Sequence, residues 1–309
     1  MYLSPKTILE LKNKLNQLNQ LRPIPSSILT KIKQQFAIEM TYNSNAIEGN
    51  SLTLKETFWV IQEGLTIKEK PLKDHLEAKN HQEALDFLYD LIKKDKKNTL
   101  SEHLIKELHQ LVVRDSQREI AGKYRNGDVL ISGADHKPLS FLDVPSQMQK
   151  LINSINTNLH IIEQAALIHH KFVYIHPFWD GNGRTARLIM NVLILSAGFP
   201  LCIILKNDRK RYYRVLALAD KGNYTPLCEF VAQAVMRSLN IYLKILKPNK
   251  KVKERFISLK KLSKECSYSE TYLRKLATLG KLEAYKEKRN WLSSKQAVEN
   301  YIKSIQHNK

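Results

Sequence analysis

The chain has 309 residues, enough for one large or two modest domains with a sizeable core. Its 43% hydrophobic content is ordinary for a globular protein, its 10 Gly and 10 Pro favour helix, and its net charge of +20 favours polyanions or phosphates without naming a partner. No apolar run approaches the ~20 residues of a membrane span, the first residues lack a basic stretch leading into an apolar one, and Cys202, Cys228 and Cys266 lack metal-ligand spacing. The expectation is a cytoplasmic protein with free thiols, no signal peptide and no membrane partner.

Leu11, Leu15 and Leu18 repeat at helical spacing, and the stretch from Arg22 to Pro25 breaks the chain. Leu29, Ile32, Phe36 and Met40 form the apolar stripe of a second helix, running toward Ser44, Glu48 and Asn50 with Gly49 as a stop. Leu85, Leu88 and Ile92 mark another helix. Leu104, Leu108 and Leu111 mark the next, with Ser101 as its cap. From Gly122 to Asp128 the character changes. Val129–Ile131 is β-prone, Ser132–Pro138 is turn-like, and Leu139–Leu142 can return as a second strand, so a small β-hairpin is expected. Helical periodicity resumes at Met148, Leu151, Ile152 and Ile155 and continues through Ile161, Ala165, Ile168 and Phe172. Tyr212, Val215, Leu216 and Ala219 suggest a further helix, and Phe230 to Leu246 a long one.

Lys247 to Lys253 is polar, basic and Pro-containing, and reads as a linker. Beyond it, Leu259 and Leu262 suit a short helix. Ser269 caps a helix over Glu270 to Leu279 that Gly280 ends. Lys281–Tyr285 and Trp291–Leu292 can pair as a wing around a charged tip, and Ser294 to Ile305 closes as a helix. Residues 251–309 hold 15 Lys and Arg against 6 Asp and Glu, so the positive excess is concentrated here.

The chemistry is densest from His176 to Arg187. Gly181 and Gly183 bracket Asn182 and let the backbone approach a ligand closely. A helix-forming run follows at once, and a first helical turn offers unpaired N–H groups to an anion. Arg184 and Arg187, three apart, can clamp phosphate oxygens from one side of that turn. Asp180 can ligate Mg²⁺, which takes few carboxylates. His176, ahead of Pro177, sits at a helix-to-loop junction and can take a proton from a hydroxyl. The combination points to phosphoryl or nucleotidyl transfer. The chain has no phosphate-binding Gly-x-x-x-x-Gly-Lys-Ser/Thr loop. Ser44 and Glu48, four apart, share one helix face. His169 and His170, being adjacent, diverge on a helix and do not make a zinc site with His176.

This segment resembles the signature of the Fic domain family, His-Pro-Phe-x-Asp/Glu-Gly-Asn-Gly-Arg-x-x-Arg, at every fixed position, and the resemblance extends over much of residues 40–245. It implies a mainly α fold: a Fic-type helical core with a small β-hairpin flap, plus a small C-terminal winged helix-turn-helix domain. The regions read as 1–100, N-terminal helices with an inhibitory helix; 101–246, the catalytic core; and 253–309, the winged-helix-like domain. The implied activity is transfer of AMP from ATP, with Mg²⁺, to a Tyr, Thr or Ser hydroxyl of a target protein and of the chain itself. His176 is then the base and Asp180 the metal ligand. Gly181, Asn182, Gly183, Arg184, Thr185, Ala186 and Arg187 bind the nucleotide, with Tyr213 at the base. Val129, Leu130, Ile131 and Ser132 belong to the target-docking flap. Ser44, Glu48 and Gly49 resemble the family's inhibitory segment, in which Glu48 occupies Arg187 and so intrudes on the nucleotide site. Where relatives often carry an acidic residue after a later glycine, this chain has Asn223 after Gly222. Two alternatives stay open: a DNA-binding regulator whose Fic domain senses nucleotide, and a Fic enzyme with another nucleotide donor. For residues 253–309, DNA and protein partners stay open, as does a homodimer.

Overall fold

The first helix, α1 (Pro5–Asn19), starts at a polar cap, Ser4, whose hydroxyl accepts from the Thr7 N–H at 3.1 Å. Leu11 and Leu18 are buried along its inner face, each contributing about 1.5–3 kcal/mol of apolar burial. The computed structural model describes residues 1–94, 100–131, 136–155, 158–246, 257–287 and 290–306. α2 (Ser26–Ile47) buries Ile32, Phe36 and Met40. It stops where Gly49 takes φ +101°, a left-handed conformation that glycine adopts without a steric penalty. α3 (Leu54–Gln62), which the periodicity did not reveal, opens with a capping box. Glu56 N–H donates to the Thr53 hydroxyl at 3.2 Å, and the Glu56 carboxylate accepts from Thr53 N–H at 2.7 Å.

α4 (Leu72–Lys94) and α5 (Glu102–Val113) pack against each other, and Ser101 caps α5 by accepting from Leu104 N–H at 3.1 Å. Such a cap is worth about 1 kcal/mol. α6 (Val144–Asn153) and α7 (Ile161–Ile175) replace the single periodic run expected. The break follows from His160, which is extended and starts a new helix by donating its N–H to the Glu163 carboxylate at 2.9 Å. α8 (Asn182–Ser196) is buried almost throughout, as its apolar run requires, and makes the most extensive helix pairing of the fold with α7. α9 (Arg209–Asp220) and α10 (Thr225–Leu246) complete the unit.

Residues 1–246 form one compact unit around one core that includes Leu11, Phe36, Leu85, Leu108, Phe172 and Val231, so residue 100 falls inside it. The strands expected over Val129–Ile131 and Leu139–Leu142 are not formed among the described residues. Phe141–Asp143 is a 3₁₀ turn, and residues 132–135, with Ser132, lie outside the description. An isolated two-stranded hairpin is marginal in water. Side chains hold this loop instead: Phe141 N–H donates to the Asp128 carboxylate at 2.8 Å, and Arg125 to the carbonyls of Gly127, at 2.8 Å, and Leu139.

The second unit, 247–309, has its own small core of Leu259, Leu262, Leu273, Leu276, Leu282 and Val298. Its chain order is β1 (Ile257–Ser258), α11 (Leu259–Leu262), α12 (Glu270–Thr278), β2 (Ala284–Glu287), β3 (Asn290–Ser293) and α13 (Lys295–Gln306). The antiparallel sheet has the order β1-β3-β2, with Ala284 opposite Ser293 and Glu287 opposite Asn290. Ser269 caps α12 by accepting from Tyr272 N–H at 3.3 Å, and Gly280 follows at φ +65°. This order is compatible with a winged helix-turn-helix. The expected linker lies outside the described residues; of the charged tip expected from Lys286 to Asn290, Lys286 and Glu287 end β2, Asn290 starts β3, and 288–289 lie outside the described residues. No described helix is long and apolar enough to cross a membrane. The three cysteines are free, and burial pushes the Cys202 and Cys228 thiols up to about 12, so both stay protonated and inert.

Candidate active site

α7 ends on His176, whose backbone turns left-handed at φ 51° and ψ 61° while its N–H still donates to Phe172 O at 3.0 Å. That conformation costs a non-glycine residue about 1–2 kcal/mol, so the surroundings must hold it. Arg125 does so. Its Nε donates to His176 O at 2.9 Å and its backbone N–H to Pro177 O at 2.9 Å. The same buried guanidinium binds Gly127 O and Leu139 O, so one side chain ties the His176 turn to both ends of the flap loop. Burial, reinforced by the Arg125 charge, pushes the His176 imidazole down to about 4. The ring is therefore neutral near pH 7, the form a proton acceptor needs.

The loop after His176 is closed by its own side chains. Asn182 Nδ2 donates to Phe178 O at 2.8 Å, and its Oδ1 accepts from Phe178 N–H at 2.9 Å. The Asn182 amide thus shapes the loop rather than standing free as an anion donor. Phe178 is fully buried and stacks on His109 with ring centroids 3.6 Å apart. His109 Nδ1 accepts from Gly122 N–H at 3.0 Å, which leaves its Nε2–H to donate to Asp180 O at 3.0 Å. Burial holds His109 at about 4, so this neutral tautomer persists. Gly181 is left-handed at φ 75°, and a Cβ there would come within 2.8 Å of Val113. Thr185 and Ala186 are fully buried and present no surface to a ligand.

Asp180 is the half-buried carboxylate of the loop. Its Oδ1 accepts from Gly181 N–H at 2.5 Å and faces Arg184 Nη2 at 3.3 Å. Its Oδ2 accepts from Gln117 Nε2 and lies 3.8 Å from Lys73 Nζ. Burial raises its pKa, but the Arg184 charge and these donors outweigh that and hold it below the usual value. An ionised carboxylate with 40% of its side chain exposed suits Mg²⁺. No group of three or more His, Cys, Asp and Glu able to hold a metal occurs among the described residues, so phosphate and water oxygens would complete the shell. Arg184, only 2% exposed, is 3.0 Å from Glu77 Oε1 as well, and is thus already held between two carboxylates. Glu77 in turn accepts from Asn50 Nδ2 at 3.0 Å.

Arg187 is the point where two distant segments meet. Its Nε donates to Ser44 Oγ at 3.0 Å, and its Nη2 donates to Ser44 O at 2.7 Å and to Glu48 Oε1 at 2.7 Å. Burial opposes the Arg187 charge, and the Glu48 carboxylate more than offsets this. Arg187 Nη1 is buried without a hydrogen-bond partner. Glu48 also lies against the start of α8, where a Cβ on Gly183 would collide with its carboxylate. Glycine at 183 and a partly unused guanidinium at 187 fit an anion at the place Glu48 fills. The end of α2 is fixed from outside as well: Arg209 Nε donates to Ile47 O at 2.8 Å, and Lys206 N–H to the Asn43 side-chain oxygen at 2.8 Å.

Tyr213 is 40% exposed, beside Tyr212 and under the Arg209 guanidinium at 4.8 Å. Leu130 of the flap is 83% exposed, with Val129 and Ile131 partly buried. His169 and His170 serve the packing: His169 Nε2 meets the Tyr212 hydroxyl and His170 Nε2 meets Asp220, each at 2.8 Å. A cleft of about 520 Å³, lined by Leu139, Lys150, Lys171, Tyr174 and Asp220, lies nearby, but no residue from 176 to 187 lines it. The reactive groups lie instead between the end of α7 and the start of α8. Sequence reasoning missed Lys73, Glu77, His109, Gln117 and Arg125. Only Arg125 left a trace, inside the Gly122–Asp128 stretch where the pattern changed.

A model of the Fic/DOC family matches residues 99–194. The chain is 40% identical over 211 residues to the protein adenylyltransferase Fic of Nematostella vectensis, a match covering 65% of this chain and 48% of that protein. Among solved structures it is similar to Fic-1 from C. elegans, with TM-score 0.69 and 30% identity, over 78% of this chain and 72% of that one. It is also similar to a Fic domain containing signaling protein from Bacteroides thetaiotaomicron, with TM-score 0.71 and 28% identity, over 77% of this chain and 97% of that one. The chain spans about half the length of the curated relatives it matches.

Proposed function

The chain belongs to the Fic/DOC family, and we propose that it transfers AMP from ATP to a hydroxyl side chain of a target protein, and of itself, under restraint by Glu48. His176 takes the proton of the attacking hydroxyl. The hydroxyl oxygen bonds to the α-phosphorus, the bond from that phosphorus to the bridging oxygen breaks, and pyrophosphate leaves. The backbone N–H groups at the start of α8 face the phosphate chain. Arg187 binds its terminal oxygens in a fork. Asp180 holds Mg²⁺, which when bound supplies positive charge against the phosphate oxygens. The exposed Tyr213 ring lies against the nucleotide base, and the loop at Val129–Ile131 receives the target.

The observation that carries the reading is Arg187, whose guanidinium is divided between Ser44 and Glu48 with one nitrogen left over. A carboxylate and a phosphate compete for one fork, so Glu48 admits ATP only in an unproductive pose. The experiment uses Glu48→Gly protein with ATP labelled in either its α- or its γ-phosphate. Label from the α position enters protein and label from the γ position does not. The reverse pattern marks a kinase and ends the reading. His176→Ala abolishes the α-labelling while nucleotide binding persists, and retained labelling removes His176 as the base.

A further inference from the structure

AMP transfer leaves the second unit without a task, yet its surface is specialised. α12 turns Leu273, Leu276 and Ala277 inward. That leaves Thr271, Arg274, Lys275 and Thr278 exposed in one stripe at the helical spacing i, i+3, i+4 and i+7. Tyr272 flanks the stripe and is tied to α13 through a 3.3 Å contact between its hydroxyl and that of Tyr301. Lys260 and Lys261 on α11, Lys264 after it, Lys281 before the sheet and Lys286 on β2 are all exposed. The acids of the unit are Glu254, Glu265, Glu270, Glu283, Glu287 and Glu299, of which Glu270 is engaged by Arg274 at 2.8 Å and Glu265, Glu283 and Glu299 are exposed. Residues 251–309 carry 15 basic against 6 acidic residues.

We propose that this unit binds duplex DNA, with the Thr271, Arg274, Lys275 and Thr278 stripe of α12 in the major groove, the α11 lysines on the adjacent phosphates and Lys286 of the two-stranded wing on the backbone beside them. The dimensions agree, since an α-helix about 10–12 Å across enters a B-form major groove about 12 Å wide. A-form RNA is a poorer fit because its major groove is deep and narrow. Protein-docking patches have cores depleted of charge and rich in apolar anchors, whereas this stripe is cationic and hydroxylic, with the exposed Tyr272 and Leu279 flanking it and not within it. Arginine and lysine reach guanine edges, and threonine reaches bases or phosphates. The inference uses no residue of the transfer site, so it stands or falls independently of that chemistry.

The test is fluorescence anisotropy of the full chain on a labelled mixed-sequence duplex of about 30 base pairs, enough for a helix-turn-helix footprint. Binding is expected at low salt, with a log–log salt slope of about −3 or steeper. Arg274→Glu and Lys275→Glu, separately, weaken it at least about tenfold. Both variants keep the parent's melting temperature and self-labelling. If Arg274→Glu unfolds, Lys275→Glu and Thr278→Glu carry the same expectation. No binding at low salt overturns the proposal. So does binding that folded variants leave unchanged, which places the contact elsewhere on a +20 chain, and so does tighter binding of double-stranded RNA of the same length.

Discussion

Glu48 Oε1 sits 2.7 Å from Arg187 Nη2, joining the end of α2 to the second turn of α8 across 139 residues of sequence. The approach depends on Gly183, where a Cβ would collide with the Glu48 carboxylate. Gly183→Ala should therefore push the Glu48 carboxylate off Arg187, at a net cost of about 1 kcal/mol, since the end of a glutamate side chain can give way and alanine favours the helix. Much of that loss should vanish in a Glu48→Gly background, where the collision is gone. Chemical denaturation of the four proteins of this cycle measures the coupling. Equal losses in both backgrounds would mean that Glu48 does not lie over Gly183.

Arg125 is expected to matter far more than its distance from any phosphate chemistry suggests. Arg125→Ala strips donors from the part-buried turn at His176 and from both ends of the flap loop. Losing a hydrogen bond from a charged donor costs about 1.5–3 kcal/mol, less where water can replace it, so a total loss of roughly 2–4 kcal/mol is expected. Turnover should fall more than nucleotide affinity, since the side chain orients His176 without contributing to the phosphate site. Arg125→Lys keeps the charge but loses the planar fork and should restore little. Paired measurement of unfolding midpoint, kcat and KM decides this.

The buried histidines give the protein a pH signature. His176 is held near 4 by burial and by Arg125, against an ordinary value of 6.5. Transfer should stay level from about pH 8 down to about pH 6, where an unshifted imidazole would already be mostly protonated. It should fall as the pH approaches 4 and the base takes up its proton. Burial depresses His81 and His169 further, to about 3. Each stays neutral in the fold and binds a proton readily when unfolded, so stability is full above about pH 6.5 and declines as the pH falls toward 3. Thermal melts across this range should show the decline, and His81→Gln should flatten it.

The His176–Arg187 segment was legible because its chemistry is contiguous: a base, a carboxylate, two glycines and two arginines in twelve residues. The pairing of Ser44 and Glu48 with Arg187 was legible only through the resemblance, since spacing alone places two residues on one helix face without naming what faces them. The caps Ser101 and Ser269 and the stops at Gly49 and Gly280 were readable because they are local. Glu77, His109, Gln117 and Arg125 were not, because each acts on residues 51–107 positions away. Thr185 and Ala186, which the resemblance implies at the nucleotide, are fully buried on α8, as Arg187 nearly is. The β-prone stretch at Val129–Ile131 has the propensity, but it forms no ladder with Leu139–Leu142 among the described residues, and side-chain anchors hold the loop instead.

The most direct test of the account is the rate at which Glu48→Gly and the parent label themselves with α-labelled ATP and Mg²⁺, measured side by side on folded protein. If Glu48 withholds Arg187 from the phosphates, the variant labels faster by at least about tenfold, and Arg187→Ala in the same background returns it to the parent's level or below. Equal rates for Glu48→Gly and the parent would contradict the account.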